Sequence, residues 1–260
     1  MTDAPVLVVD GLTKRFGGLA ALDGVGLSLA PGEVRGLIGP NGAGKTTLVN
    51  ALSGVLRPTA GSIRFAGQEI AGRPAHRIAR LGIRRTFQTL RIFPEMSALE
   101  NVAVGYHAHT RAEACDALLG TARAAREETE TVARAQAALA FVGLAPDDPR
   151  PARALAYGQQ RLLELARALI AEPPLLLLDE PAAGMNPAEC DHLLGLLRRL
   201  QSRGLTLLVI EHRMDLIMEA CDRITVLSYG RNLAEGTPAE IQANAAVVEA
   251  YLGTYAYAGA

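Results

Sequence analysis

A glycine-rich segment at residues 37–48, LIGPNGAGKTTL, holds the clearest chemical pattern in the chain. It contains Gly-x-x-x-x-Gly-Lys-Thr from Gly39 to Thr46, and its glycines let backbone N–H groups approach phosphate oxygens closely. Lys45 would bring a compact cation to the β- and γ-phosphates of a nucleoside triphosphate, and the Thr46 hydroxyl would bind Mg²⁺. The residues predicted to bind the nucleotide here are Gly39, Pro40, Asn41, Gly42, Ala43, Gly44, Lys45, Thr46 and Thr47.

The residues that flank this segment fit the same interpretation. Val34–Ile38 is predicted to be a short buried strand, and Thr46–Leu52 is predicted to be a helix whose N-terminal dipole favours an anion. A chance match of the pattern would not be expected to have a strand before it and a helix after it. We therefore predict a phosphate-binding loop (P-loop) between this strand and this helix.

Two acidic residues follow another apolar run, Leu175–Leu178, and would lie at the carboxyl end of a buried strand. Hydrolysis of a triphosphate requires a group that holds Mg²⁺ and a group that positions water. We predict that Asp179 binds Mg²⁺ or a metal-bound water, and that Glu180 is the general base. An acidic pair alone is a weak signal, because turns and helix starts also favour acids, but the P-loop in the same chain strengthens it.

The composition argues against several classes of protein. Lys and Arg together number 26 against 27 Asp and Glu, so the net charge of −1 gives no indication of a nucleic-acid partner. Apolar runs such as Leu205–Ile210 have the length of strands, and the N-terminus carries an acid where a signal peptide would carry basic residues, so we expect a cytoplasmic protein. Cys115, Cys190 and Cys221 lack the spacing of a zinc site and are predicted to be reduced packing residues.

The order of the predicted elements indicates an α/β fold. Strands alternate with helices in the later part of the chain, which predicts a mainly parallel sheet with ligands at the carboxyl ends of its strands. The first third mixes antiparallel β elements with the P-loop. Residues from about Thr89 to Arg167 are predicted to form a mostly helical insert, since Ser97 and Glu100 form a capping box and Arg111–Val142 has helical periodicity.

The order and spacing of these motifs resemble the ATP-binding subunit of an ABC transporter over nearly the full length of the chain. The family's adenine-stacking aromatic residue, Q-loop glutamine, signature motif, D-loop and switch histidine are matched by Phe16, Gln88, Leu155–Gln159, Ala183–Asn186 and His212. The resemblance implies the ABC ATPase fold, which is a P-loop NTPase with a RecA-like core, an antiparallel β subdomain and a helical insert. It implies an ATPase domain over residues 1–235 and a helical tail over 236–260.

The resemblance also implies roles for single residues. The implied catalytic residues are Lys45, Gln88, Glu180 and His212, and the implied Mg²⁺ ligands are Thr46, Gln88 and Asp179. Each ATP would lie between the P-loop of one subunit and the signature motif of another, so a dimer is implied. The signature residues expected to contact the nucleotide are Tyr157, Gly158 and Gln159, because a helix N-terminus there would present N–H groups to an anion.

Two departures from the usual ABC pattern narrow the resemblance. The usual signature is Leu-Ser-Gly-Gly-Gln, but Ala156 and Tyr157 stand at its second and third positions, so the serine hydroxyl that would touch the γ-phosphate is missing. Asn186 replaces the usual aspartate of the D-loop, and with Pro187 and Glu189 after it this residue would also cap a helix. With the tail GTPAEIQANAAVVEAYLG, these segments resemble the G-type ATPase of branched-chain amino-acid importers.

This closer resemblance implies transmembrane permease subunits as partners, a solute-binding protein as an indirect partner, and a peripheral position at the cytoplasmic face of the cell membrane. It leaves open whether the dimer is homomeric or pairs with a sister ATPase. Similar ATPases serve urea or amide uptake, or lipopolysaccharide export. Soluble ABC-type ATPases that act on nucleic acid or the ribosome usually carry coiled coils, a second ATPase half or basic extensions, which this sequence lacks. A regulatory module without hydrolysis is a third alternative, which the intact catalytic residues oppose.

A basic cluster precedes Gln88 and consists of Arg77, Arg80, Arg84 and Arg85. Such clusters are most often solvated faces. The alternative hypothesis is that this cluster docks to a cytoplasmic loop of the membrane partner.

Overall fold

The computed structural model describes residues 4–107 and 121–257, and these form two compact units. The first unit is built from Met1–Arg85, Pro174–Ala182 and Cys190–Ala260, and the second from Thr86–Pro173 and Ala183–Glu189. Three parts of the sequence predictions lie outside the described residues. They are Cys115, the first part of the helix predicted over 111–142, and the last three residues of the predicted tail.

The first unit contains two sheets, which together confirm the prediction of a mainly parallel core with an antiparallel β subdomain. In chain order the strands are β1 (Leu7–Phe16), β2 (Leu19–Leu29), β3 (Val34–Ile38), β4 (Ala60–Phe65), β5 (Gln68–Glu69), β6 (Ile83–Arg85), β7 (Leu175–Asp179), β8 (Thr206–Ile210), β9 (Arg223–Ser228) and β10 (Arg231–Gly236). The antiparallel sheet has the order β2-β1-β4-β5. The other sheet has the order β10-β9-β3-β8-β7-β6, and only its edge strand β10 is antiparallel to its neighbour.

The centre of the parallel sheet explains the apolar runs in the sequence. Every residue of β3, β7 and β8 is buried, as expected for strands covered on both faces. In the pairing of β7 with β8, Asp179 lies opposite Ile210, and Leu37 of β3 also lies opposite Ile210. The three strands therefore end at the same level, and the loops after them meet at one edge of the sheet.

The helices of the described residues are numbered in chain order. They are α1 (Lys45–Leu52), α2 (Ala75–Leu81), α3 (Ala98–Val104), α4 (Ala122–Val142), α5 (Tyr157–Leu169), α6 (Pro187–Ser202), α7 (Met214–Ala220), α8 (Pro238–Gln242) and α9 (Ala245–Tyr257). In the second unit α3, α4 and α5 pack against one another, and α4 buries Ala135, Leu139 and Val142 at helical spacing. None of the helices within residues 4–107 and 121–257 has the length and apolar character needed to cross a bilayer.

Capping residues set the ends of several helices as the sequence predicts. Ser97 and Glu100 form the predicted capping box of α3, with the Glu100 N–H donating to Ser97 Oγ over 3.2 Å. Helix α4 ends at Gly143, which has a φ of 85° and so supplies the left-handed conformation that closes a helix.

From the sequence, Gly11 after the β-rich run Val6–Asp10 would be expected to form a turn, and this expectation is wrong. Strand β1 continues through this residue to Phe16, and its pairing with β2 changes register between Val9 and Leu12. Gly11 has a φ of 57°, so the glycine makes a bulge within the strand and not a turn after it. A local sequence pattern indicates that a positive φ is tolerated, but it does not distinguish these two uses of it.

Candidate nucleotide site

The nine residues predicted to bind the nucleotide here form one continuous segment: six of them, Gly39–Gly44, make the loop that joins β3 to α1, and Lys45, Thr46 and Thr47 open α1. Gly39 is buried directly after β3 with a φ of 149°, and a Cβ at this position would lie 2.1 Å from the Leu227 carbonyl oxygen. No side chain fits at that distance, so the close approach of β9 requires glycine. The exposed residues of the loop, Asn41 and Gly42, lie at its outer side.

Lys45 lies at the start of α1 and points back into the P-loop. Its Nζ donates to the carbonyl oxygens of Gly39 over 2.5 Å and of Pro40 over 3.0 Å. Burial lowers the pKa of its ammonium group, and the negative charges of Glu180 and Asp179 act in the opposite direction. The ammonium therefore lies among acceptors at the mouth of the loop, with two carboxylates close enough to affect it.

The carboxylate of Asp179 is buried at the end of β7. Arg85, at the end of the neighbouring strand β6, donates from Nη2 to Asp179 Oδ2 over 2.7 Å, and both side chains are 7% exposed. The same guanidinium donates to Asn50 Oδ1 and Ser53 Oγ at the C-terminal half of α1 and just after it. The predicted metal ligand is therefore held in a network that links two strands to the P-loop helix.

Glu180 and His212 come together in the structure, although 32 residues separate them. His212 Nε2 lies 3.0 Å from Glu180 Oε1, and the Glu180 N–H donates to the Ile210 carbonyl oxygen over 2.9 Å. Glu180 has a φ of 51°, a conformation that costs energy for a residue with a Cβ. With this backbone conformation the Glu180 carboxylate lies beside His212, two residues after the end of β8.

The aromatic residue Phe16 lies at the end of β1, before the two-glycine turn to β2. Its ring is 50% exposed, and the Lys14 ammonium lies 5.0 Å from the ring centroid. The first unit therefore presents an exposed aromatic side chain with a cation over its ring.

The signature residues open helix α5 in the second unit. Tyr157 is 45% exposed, Gly158 is buried, and the Gln159 side chain accepts a hydrogen bond from the Ala156 N–H over 3.1 Å. A Cβ at Gly158 would lie 2.2 Å from Glu189 Oε1, so a side chain at this position would have to displace the Glu189 carboxylate. Ala156 carries no side-chain oxygen, so the helix N-terminus is not capped by its own N-cap residue.

Gln88 and Asn186 also belong to the second unit. Gln88 is exposed and follows β6 by three residues. Asn186 Oδ1 accepts from the Glu189 N–H over 3.0 Å, and Glu189 Oε2 accepts from the Asn186 N–H over 2.9 Å. The predicted helix cap at Asn186 is therefore present at the start of α6.

Comparison with known proteins identifies this arrangement. Residues 22–183 match the ABC transporter family, and residues 231–257 match the family described as branched-chain amino acid ATP-binding cassette transporter. The high-affinity branched-chain amino acid transport ATP-binding protein BraF of Pseudomonas aeruginosa is 48% identical over 250 residues, which cover 96% of this chain and 98% of BraF. The protein LivG of Escherichia coli, with the same description, is 46% identical with the same coverage of both chains.

The chain belongs to the ATPase subunits of the ABC transporter family. Solved structures agree with this ABC ATPase over almost its whole length. A nucleotide-free ATP-binding cassette from an ABC transporter has a TM-score of 0.83 at 33% identity and covers 95% of this chain and 98% of its own. An ADP-bound conformation of an ATP-binding cassette also has a TM-score of 0.83 at 33% identity, with 96% and 99% of the two chains covered. The predicted fold class is confirmed.

The first unit of this ABC ATPase fits a magnesium nucleotide. The P-loop presents the Lys45 ammonium at the N-terminus of α1, and Thr46 is exposed at the first turn of that helix. Asp179 supplies a carboxylate, which is the kind of oxygen ligand that Mg²⁺ prefers. In residues 4–107 and 121–257 no group of three His, Cys, Asp or Glu side chains is placed to hold a metal ion by itself.

Sequence reasoning missed the part played by Arg85. The sequence predicts that the basic cluster is a solvated face or a docking surface, and for Arg85 both hypotheses are wrong because its guanidinium is buried on Asp179. Arg77 and Arg80 are exposed on α2, and Arg84 is half-buried. The local signal for a buried Arg85 is the alternation of side chains along β6. Neighbouring strand residues point to opposite faces of a sheet, so Arg84 and Arg85 have different environments.

Glu211, directly after β8, is a second buried residue that the motifs do not single out. Its Oε1 accepts from the Ala182 N–H over 2.7 Å, and its Oε2 accepts from the His212 N–H over 3.1 Å. One carboxylate therefore ties the loop after β7 to the loop after β8, and this arrangement holds Glu180 and His212 in register.

The cysteine prediction is confirmed where it can be compared with the structure. Cys190 and Cys221 are buried thiols, and Cys190 Sγ accepts from Arg213 over 2.7 Å. Burial raises the pKa of the Cys221 thiol to about 12.

Proposed function

We propose that this ABC ATPase is the ATP-binding and ATP-hydrolysing subunit of an importer for branched-chain or other hydrophobic amino acids. The observation that carries the proposal is the identity of 48% and 46%, over 96% of the chain, to BraF and LivG. The match of residues 231–257 to the branched-chain family supports it independently of the ATPase core.

The geometry supports a division of labour among the residues of the first unit. The P-loop would wrap the phosphates, Lys45 would leave its two carbonyl partners for the β- and γ-phosphates, and Phe16 would stack on adenine. Glu180 would polarise the attacking water. His212, whose Nε2 lies 3.0 Å from the Glu180 carboxylate, would orient that carboxylate and hold the γ-phosphate. Mg²⁺, held by Thr46, Gln88 and Asp179, would neutralise charge on the phosphates.

The second unit would complete the site of another subunit. Tyr157, Gly158 and Gln159 would face the nucleotide held by the P-loop of a partner, which is either the same chain or a sister ATPase. Since Ala156 offers no hydroxyl, the N–H groups at the start of α5 would make the contact with the γ-phosphate. ATP would close this dimer, and hydrolysis would open it.

The remaining assignments follow from the same proposal. Residues 1–235 form the ATPase domain, with a helical subdomain at about 89–167, and residues 236–260 form the C-terminal helical tail. The protein would bind the cytoplasmic face of the membrane through permease subunits, which receive solute from a solute-binding protein. The exposed arginines Arg77 and Arg80 remain candidates for contacts with a cytoplasmic loop of the permease.

The dimer is tested by light scattering of Glu180→Gln with and without ATP and Mg²⁺. Loss of the base stops turnover, so a closed dimer accumulates and the mass doubles when ATP is added. If the mass stays that of a monomer although ATP binding is measured directly, closure without a sister ATPase or permease is excluded.

The cargo is tested by reconstituting the chain with its permease and solute-binding protein in vesicles. We expect ATP-dependent uptake of labelled leucine, isoleucine and valine that Glu180→Gln abolishes, whereas labelled urea is not taken up. Uptake of urea or an amide in place of the amino acids would reject the proposed cargo and keep the ATPase assignment.

A further inference from the structure

Arg161 is buried one turn into the signature helix α5 and binds the main chain around the Q-loop. Its Nη1 donates to the Phe87 carbonyl oxygen over 3.0 Å, and its Nη2 donates to the Gln88 carbonyl oxygen over 2.6 Å. The residue is only 7% exposed, so these bonds form away from solvent, where a lost partner is costly. The position of Gln88 is therefore fixed by a side chain of α5.

A second side chain of α5 binds an N–H group of the same short segment. Glu164, which is 3% exposed, accepts from the Phe87 N–H over 3.3 Å. Its Oε2 lies 3.7 Å from Arg161 Nη1, so the two charges also stabilise each other. Together Arg161 and Glu164 bind one N–H and two carbonyl groups of consecutive residues, which leaves the backbone at Phe87 and Gln88 little freedom to move without α5.

The guanidinium that binds Gln88 also binds the unusual tyrosine of the signature motif. Arg161 Nη2 donates to the Tyr157 hydroxyl over 2.9 Å, and its guanidinium carbon lies 5.4 Å from the centroid of that ring. The same ring lies close to Gly184 of the D-loop, where a Cβ would lie 2.6 Å from Tyr157 Cε1. An exposed signature residue, the D-loop and the Q-loop are thus joined within the second unit.

We propose that Arg161 is a positioning residue that couples the signature motif to the Q-loop through its shared Nη2. When Tyr157 shifts on contact with a nucleotide, Arg161 carries that shift to the Gln88 main chain. The inference rests on the proposed dimer, in which Tyr157 faces the ATP of the partner and Gln88 faces the ATP of its own subunit. Arg161 then links the two ATP sites of one dimer.

The link predicts cooperative hydrolysis that depends on one hydroxyl. Steady-state hydrolysis is measured against MgATP concentration with the full-length chain, as wild type, Tyr157→Phe, Arg161→Lys and the double variant. We expect a wild-type Hill coefficient above 1, within the limit of two sites. Tyr157→Phe keeps the ring on Gly184 and removes only the hydrogen bond, so kcat falls about threefold to tenfold and the Hill coefficient approaches 1.

The double variant and a matched control separate this coupling from a structural role. Tyr157→Phe should add nothing to Arg161→Lys, because both remove the same link. Tyr106→Phe also removes a tyrosine hydroxyl in the second unit, one that donates to Glu130 over 3.3 Å, and we expect it to behave as wild type. A merely structural loss lowers the fraction of active protein, which reduces kcat without changing the Hill coefficient.

Several results would overturn the inference. The first is a wild-type Hill coefficient of 1. The second is a Tyr157→Phe variant that behaves like Tyr106→Phe, or one whose kcat falls while its Hill coefficient stays at the wild-type value. The third is a double variant in which the two fold-losses of kcat multiply. Should Arg161→Lys fail to fold by circular dichroism, Tyr157→Phe alone decides through its kcat and Hill coefficient. Absence of hydrolysis by the wild type would instead contradict the proposed function, and the light-scattering experiment on Glu180→Gln reports on the dimer independently.

Discussion

Replacing Arg85 by methionine is expected to destabilise the first unit strongly, even before nucleotide binds. The substitution removes the partner of a buried carboxylate, since Arg85 and Asp179 are each 7% exposed and 2.7 Å apart. Breaking a buried ion pair from one side costs about 3–5 kcal/mol, because the remaining charge is left without compensation. The hydrogen bonds to Asn50 and Ser53 are lost as well, so we expect a loss near the upper end of that range.

The assay is urea unfolding in the absence of nucleotide and Mg²⁺. The chain contains no tryptophan and 6 tyrosines, so far-UV circular dichroism and tyrosine fluorescence are the two probes, and their coincidence tests whether one transition is observed. Asp179→Asn removes the charge that Arg85 compensates. The loss of unfolding free energy in the double variant should therefore be smaller than the sum of the two single losses, by about 1–3 kcal/mol.

Arg198→Met is the matched control for this prediction. Arg198 Nη2 lies 2.8 Å from Glu219 Oε1, but these side chains are 55% and 57% exposed. An exposed pair contributes at most about 1 kcal/mol. If Arg85→Met costs no more stability than Arg198→Met, or if the double variant shows no coupling, the buried ion pair does not stabilise the fold.

Three further predictions concern the site and the core. Glu180→Gln should lower the ATP hydrolysis rate by about 10²–10⁴-fold while equilibrium binding of ATP is retained, and turnover within a few fold of wild type would exclude Glu180 as the base. Gly39→Ala should weaken ATP binding at least tenfold in calorimetry, because the added Cβ would lie 2.1 Å from the Leu227 carbonyl oxygen. Gly195 has open space around it, so the control variant Gly195→Ala should bind ATP with wild-type affinity. Equal ATP affinities of the two variants would refute the steric argument. The Cys221 thiol, with its pKa raised from 9.0 to about 12, keeps its proton in the fold while the unfolded thiol loses it, so stability should fall as pH rises from about 9 to 12. Cys221→Ala should flatten that pH dependence in urea titrations, and an unchanged slope would contradict it.

Much of the fold and of the site could be predicted because the signals are local. The P-loop is specified by glycines whose φ values and missing Cβ atoms are properties of single positions, and the buried strands β3, β7 and β8 follow from unbroken apolar runs. Parallel strands that end at one edge of a sheet bring Asp179 and the P-loop to the same place. The roles of Phe16, Gln88 and His212, in contrast, are implied only by the family resemblance.

Short elements and single contacts could not be predicted in the same way. Strand β6 has three residues and α2 has seven, too few for a periodicity to emerge, so Arg85 was assigned to a basic cluster and not to a strand. The positive φ of Glu180 has no local signal, because only the surrounding structure holds a non-glycine residue in that conformation.

The sequence by itself predicts the class of ligand, the sheet that presents it and the residues proposed to perform the chemistry. Backbone conformation, burial of apolar runs and helix capping depend on residues that are close together in the sequence, so local sequence patterns predict them. Only the tertiary structure decided which charges compensate each other. Arg85 meets Asp179 across 94 positions, and Arg161 meets Gln88 across 73. Such pairs depend on which strands and helices become neighbours, and a buried charge binds whichever partner that packing brings within hydrogen-bond distance.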